Sequence, residues 1–173
     1  MIGALTMVAL VGASPVDSCR IDHARYVLRA EPATMLRFHI VPKSRDWWSE
    51  LAAELTLARN GRVSWWLPTA SGTSDLRNFA WTALAGSPQA APNYPYKLRG
   101  LHYFAFDRDY GMVNATLMKG DVAPAHILLT DLRDAFWYGD DPATRTSPPQ
   151  SLFDLVACDV PDDRPNVLLP LVP

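Results

Sequence analysis

Apolar residues at every second position on both sides of an Asn-Gly pair leave the middle of this chain little choice but a β-hairpin. Leu51, Ala53, Leu55 and Leu57 share one parity, and Val63, Trp65 and Leu67 follow beyond Arg59, Asn60 and Gly61. Side chains alternate across a strand, so each row lies on a single face. A two-residue Asn60-Gly61 loop would pair Leu57 with Ser64 and set an apolar row against a mixed one. A three-residue loop, Arg59 to Gly61 with glycine left-handed, pairs Leu57 with Val63 and Leu55 with Trp65, and this register is the one expected. In it Trp65 faces the core and Trp66 faces outward.

The same period recurs along the chain. Met35 to Val41 alternates Leu36, Phe38 and Ile40 with Arg37 and His39, which places the latter two on the more solvated face. Tyr26 to Arg29 reads as a shorter strand before it, separated by a turn at Pro32. Leu101 to Phe106 and Met112 to Leu117 form a second hairpin through the Asp107 to Gly111 turn, and His126 to Leu129 and Leu152 to Cys158 are further strands. Two segments have helical spacing. From Asp75, apolar residues fall at Leu76, Phe79, Ala80, Ala83 and Leu84, with Ser74 as N-cap and Gly86 as a stop. A second, shorter helix carries Leu132, Ala135 and Phe136 and ends at Gly139. Gly86 to Pro95 and Gly139 to Gln150 read as surface loops, and prolines keep the tail from Pro161 to Pro173 out of regular helix. The expected fold is mainly β: a single antiparallel β-rich domain, sandwich or partly open barrel, with one or two short helices.

Composition supports one packed core. The 173 residues are 49% hydrophobic and 20% charged, too apolar for a disordered chain, and a formal charge of -2 with no basic block argues against a nucleic-acid partner. Residues 2–13, IGALTMVALVGA, are uncharged and the length of a signal-peptide apolar region, too short to span a bilayer. Residues 1–18 are therefore expected to be a signal segment and 19–173 one globular domain, periplasmic or secreted, with no transmembrane helix in the mature chain. The departure is the lack of Lys or Arg before Arg20; the alternative is a buried first element of the domain. Lipid attachment at Cys19 is disfavoured by Asp17. The two cysteines, Cys19 and Cys158, have no CxxC spacing. In an oxidising compartment they can close a loop around almost the whole domain, worth at most about 5 kcal/mol; two unrelated thiols are the alternative.

The segments CRIDHARYVLRA from Cys19, WWLPTASGTSDLRN from Trp65 and GDVAPAHILLTDLRDAFWYG from Gly120 resemble small exported proteobacterial proteins with no assigned function. The resemblance implies export and adds no activity.

Candidate site residues are few. Trp48 and the outward Trp66 would form a platform for a sugar ring or a partner's apolar side chain, unless Trp66 packs beneath a helix near Phe79 and Trp81. Ser71, Thr73 and Asp75 lie where an anion or a nucleophile could be held, although capping explains them as well. His23, His39, His102 and His126 show no HxH or HxxxH spacing, and Asp107 to Gly111 lacks the ligands of a calcium loop, so neither a metal nor a cofactor is expected. Asn114-Ala115-Thr116 is a glycosylation sequon that matters only in a eukaryotic secretory pathway. The leading expectation is an exported, envelope-associated binding or structural module without catalysis, with an envelope glycan or protein as partner. The alternative is a small periplasmic hydrolase assembled from the 71–75 loop and a histidine.

Overall fold

A sheet with one apolar face must cover it or curl around it, and this chain curls. The computed structural model describes residues 18–43, 47, 49–70, 77–91, 100–114, 116–138, 141–143, 145–159 and 165–167. Among them are β1 (Ala24–Leu28), β2 (Glu31–Ile40), β3 (Leu51–Thr56), β4 (Val63–Ala70), β5 (Arg77–Thr82), β6 (Leu101–Phe106), β7 (Met112–Val113), β8 (His126–Leu129), β9 (Leu152–Cys158) and one helix, α1 (Leu132–Tyr138). The strand order is β5-β4-β3-β2-β1-β9-β8-β6, every pairing is antiparallel, and β6 pairs back onto β5. The result is a closed eight-stranded barrel with β7 added beside the outer half of β6.

The expected sandwich or partly open barrel is thus closed, and the closing strand is one whose spacing predicted a helix. Phe79, Ala80, Ala83 and Leu84 fit a helical stripe, yet residues 77–82 pair with β4 on one side and β6 on the other. Phe79, Trp81 and Thr82 are residues that favour strands, and both edges of the segment find ladder partners. The turn expected at Pro32 falls at Arg29 and Ala30 instead. Pro32 lies in β2 beside the irregular step between Met35↔Val27 and Glu31↔Leu28, where a missing backbone donor is tolerated. The strand expected from Met112 to Leu117 shortens to Met112–Val113. The strands at 126–129 and 152–158 and the helix carrying Leu132, Ala135 and Phe136 fall where expected.

The β3–β4 register differs from expectation by one residue. Leu55 pairs with Ser64 and Ala53 with Trp66, and the Leu57 N–H donates to the Arg62 carbonyl at 2.9 Å, leaving residues 58–61 as the loop. Gly61 holds the left-handed position, φ 65°. The extra loop residue has a buried partner: the Ala58 N–H donates to the Thr34 hydroxyl at 3.0 Å, and that hydroxyl donates to Glu31 at 2.7 Å. A one-residue slip exchanges the faces of a strand. Trp66 therefore enters the barrel and Trp65 lies outside.

Inside, aromatic rings cross the barrel. Tyr26 meets Phe38 edge-on at 6.1 Å, Phe38 meets Phe79 at 6.1 Å, and Phe79 stacks on Tyr103 at 4.6 Å. Burial pushes the Tyr103 hydroxyl up to about 12, and it accepts the Leu117 N–H at 3.2 Å. One mouth is closed by α1, whose Leu132, Ala135 and Phe136 join the interior cluster. The other is closed by the turn Ile21–His23, with Ile21 fully buried. Cys19 and Cys158 form a disulfide there, Cα atoms 5.6 Å apart. Outside the barrel, Trp65, Leu67 and Ala52 make a second cluster with Val41, Trp47 and Val167. His39, expected on the solvated face beside Arg37, is 5% exposed under that cluster, with its Nε2 2.9 Å from Glu54 and its ring 5.2 Å from Trp65; Arg37 is exposed.

Reduction of the disulfide, or Cys19→Ser, should lower stability by up to about 5 kcal/mol in the loop-entropy limit, read as a fall in the urea midpoint with and without reductant. Trp66→Ala should cost about 3–5 kcal/mol, because it empties a site sealed by α1; a change below about 1 kcal/mol would place Trp66 outside the barrel.

Candidate functional site

Of the candidate residues read from the sequence, Trp48, Ser71, Thr73 and Asp75 lie outside the described residues. Trp66 is 1% exposed, its Nε1 donates to the Ser64 hydroxyl at 3.0 Å, and its ring meets Phe136 edge-on at 6.4 Å. It packs beneath α1 and offers no face to a ligand, which corrects the expectation of an outward platform. The Arg62 guanidinium lies over Phe136, 5.5 Å from the ring centre.

The histidines are each paired with a carboxylate. His23 lies 3.2 Å from Asp22, His39 contacts Glu54, His102 contacts Asp131, and His126 Nδ1 lies 2.7 Å from Asp154. The hydrogen bond with His39 holds Glu54 below the usual carboxylate range against the opposing effect of burial. Burial would raise Asp131, but hydrogen bonds from the His102 side chain and backbone outweigh it and hold it low. The fullest cluster lies on the outer face of β1, β9 and β8. Arg29 donates to both oxygens of Asp154 at 2.8 Å and to the Tyr110 hydroxyl at 3.0 Å, while Tyr110 stacks on His126 at 4.6 Å. Tyr110 sits at φ 61°, a left-handed conformation that costs a non-glycine residue about 1–2 kcal/mol. Its stacking and hydrogen bond oppose that cost and pin the β6–β7 turn to the barrel wall. Within the turn, Asp107 Oδ1 accepts the Asp109 and Gly111 N–H groups at 2.9 and 2.7 Å. This acid-rich segment is built as a turn.

One candidate ligand surface lies on α1. Leu132, Ala135 and Phe136, spaced three and four apart, point into the barrel, so Arg133, Asp134, Trp137 and Tyr138 face outward. Trp137 is 41% and Tyr138 72% exposed, large apolar areas left in water on a helix of seven residues. They line, with Arg133, Asp134 and Ser147, a pocket of about 340 Å³. Arg145 lies with its guanidinium 5.3 Å from the Trp137 ring. The Ser147 hydroxyl and the Arg145 Nε are buried without a hydrogen-bond partner. An unpaired buried polar group costs about 1–3 kcal/mol. The helical spacing of Leu132, Ala135 and Phe136 already sets Trp137 and Tyr138 on the outer side. Ser147 and Arg145 arrive from a loop whose path no periodicity predicts. Other hollows are present among the described residues. One of about 420 Å³ at the barrel rim is bordered by Trp65, Trp81 and Glu54; another of about 340 Å³ beside Val113, Val122 and Leu155 is mostly apolar-walled.

No protein-family model matches this sequence, and neither a curated protein nor a solved structure matches it. The site's chemistry must carry the functional reading.

Asp154 gives a pH-dependent test of the clasp on Tyr110. The hydrogen bonds from Arg29 hold its carboxyl below the ordinary range, opposed by burial and aided by His126. A depressed folded pKa adds stability above the unfolded value, about 3.9, and loses it as pH falls through the folded one. Asp154→Asn should therefore cost roughly 1 kcal/mol or less near neutrality, with the gap to wild type closing below about pH 4 in urea titrations. A gap independent of pH would show that Asp154 acts by shape alone.

Proposed function

We propose that this protein is an exported binding module that recognises a glycan through the outer face of α1. The carrying observation is the exposed Trp137–Tyr138 pair over a pocket that also presents Arg133 and Asp134. Ligand sites characteristically join aromatic surface to a few fixed polar groups. A sugar ring answers both parts: its C–H face lies on an aromatic ring, and its hydroxyls donate to Asp134 and accept from Arg133. The barrel interior, filled by Trp66, Phe38, Phe79 and Tyr103, leaves the binding role to the outside.

Export is supported by the Cys19–Cys158 disulfide, a bond that persists in oxidising compartments. Among the described residues no helix is long and apolar enough to cross a membrane. On this reading cleavage near Ala13 leaves Cys19 close to the mature terminus, where the disulfide secures it to β9. The reading keeps the periplasm or the extracellular space as the compartment and an envelope glycan as the partner.

Titrating envelope glycan fragments while following tryptophan fluorescence should give a saturable change. Trp137→Ala should weaken binding about tenfold or more, roughly 1.4 kcal/mol, while changing stability by no more than about 0.5 kcal/mol. Absence of any response across neutral and acidic glycans removes the glycan reading.

A further inference from the structure

We infer that the glycan bound at α1 is acidic, carrying one carboxylate or phosphate group that the arginines beside Trp137 receive. This rests on the glycan reading of the same face and narrows its ligand class.

The argument begins with charge. Arg133 lines the pocket and Arg145 lies against Trp137, whereas Asp134 is the acid in the lining. Arg133 and Asp134 are exposed neighbours on the helix. The balance therefore favours a single negative charge on the ligand. A second would face Asp134.

Geometry adds to this. Arg145 stacks on the indole, and its Nε is buried without an acceptor. A guanidinium fixed against an aromatic ring has a pre-organised fork of donors and loses little entropy when a planar or tetrahedral oxyanion meets it. Such forks bind carboxylate and phosphate through two parallel N–H···O bonds, about twice as strong as bonds between neutral groups. A neutral sugar would stack on the ring but would leave the guanidinium without its charge partner. An isolated anion would meet the arginine and leave Trp137 and Tyr138 bare. An acidic sugar uses all of them.

Calorimetric titration of the full-length oxidised protein should compare a neutral hexose oligosaccharide, its uronate counterpart, the same sugar phosphorylated, and inorganic phosphate or acetate. The uronate or the phosphorylated sugar should bind about tenfold tighter than the neutral one, the preference shrinking as salt rises. Which of the two binds tighter identifies the anionic group. Arg145→Gln should erase the preference while leaving neutral-sugar binding in place, and Arg145→Lys, which keeps charge without the fork, should restore part of it. Arg133→Gln, on an exposed position that also serves the sugar hydroxyls, should weaken both ligands and the acidic one more. Equal binding of neutral and acidic sugars overturns this inference and leaves the glycan reading standing. Equal binding of inorganic phosphate or acetate and acidic sugar overturns the glycan reading, and silence with every ligand overturns both.

Discussion

Three residue pairs close this molecule. Phe79 opposite Leu101, Asn78 opposite His102 and Arg77 opposite Tyr103 join the two ends of an eight-stranded sheet. Without them β5 and β6 would present open edges and the apolar face of the whole sheet would meet water. The seam is short, but it is backed from within. Phe79 stacks on Tyr103 across it and touches Phe38 on the far wall, so the seam and the core are one structure. Apolar burial at about 25 cal/mol per Å² makes these rings a larger stabilising term than the few ladder bonds they accompany.

Closure has consequences at both mouths. An eight-stranded barrel is just wide enough for side chains to fill, and here they do, with Trp66, Phe38, Phe79 and Tyr103 occupying its middle. The ends must then be covered by short apolar pieces. At one, Ile21 and the disulfide secure the incoming chain; at the other, α1 seats Phe136 on Trp66. The same seven-residue helix cannot bury all of its side chains. Having given Leu132, Ala135 and Phe136 to the core, it turns Trp137 and Tyr138 to solvent, which makes the plug and the proposed binding face two sides of one element.

Much of the architecture was legible because the period of two is local. Leu36 and Phe38, or Leu101 and Tyr103, alternate within a few residues, and the strands around them lie where alternation sets them. The hairpin at Asn60 and Gly61 was legible as a hairpin but not in its register. That depended on the Thr34 hydroxyl, distant in sequence, taking the Ala58 N–H. One residue of slip then reversed the roles of Trp65 and Trp66. The candidate site shows the same division. Trp137 and Tyr138 stand on the outer side of a helix whose inner side was readable, whereas Arg145 and Ser147 reach them through an irregular loop.

By itself the sequence determined the strand-rich class, the antiparallel hairpins, the short helix after β8 and a pair of cysteines able to join the domain's ends. These follow from side-chain alternation, turn chemistry and spacing, all set within about ten residues. Only the tertiary structure decided that residues 77–82 are a strand, that the sheet closes and that Trp66 is core. Residues with both helical spacing and β-favouring side chains have near-equal local options, and the difference is made by ladder partners that come from elsewhere in the chain.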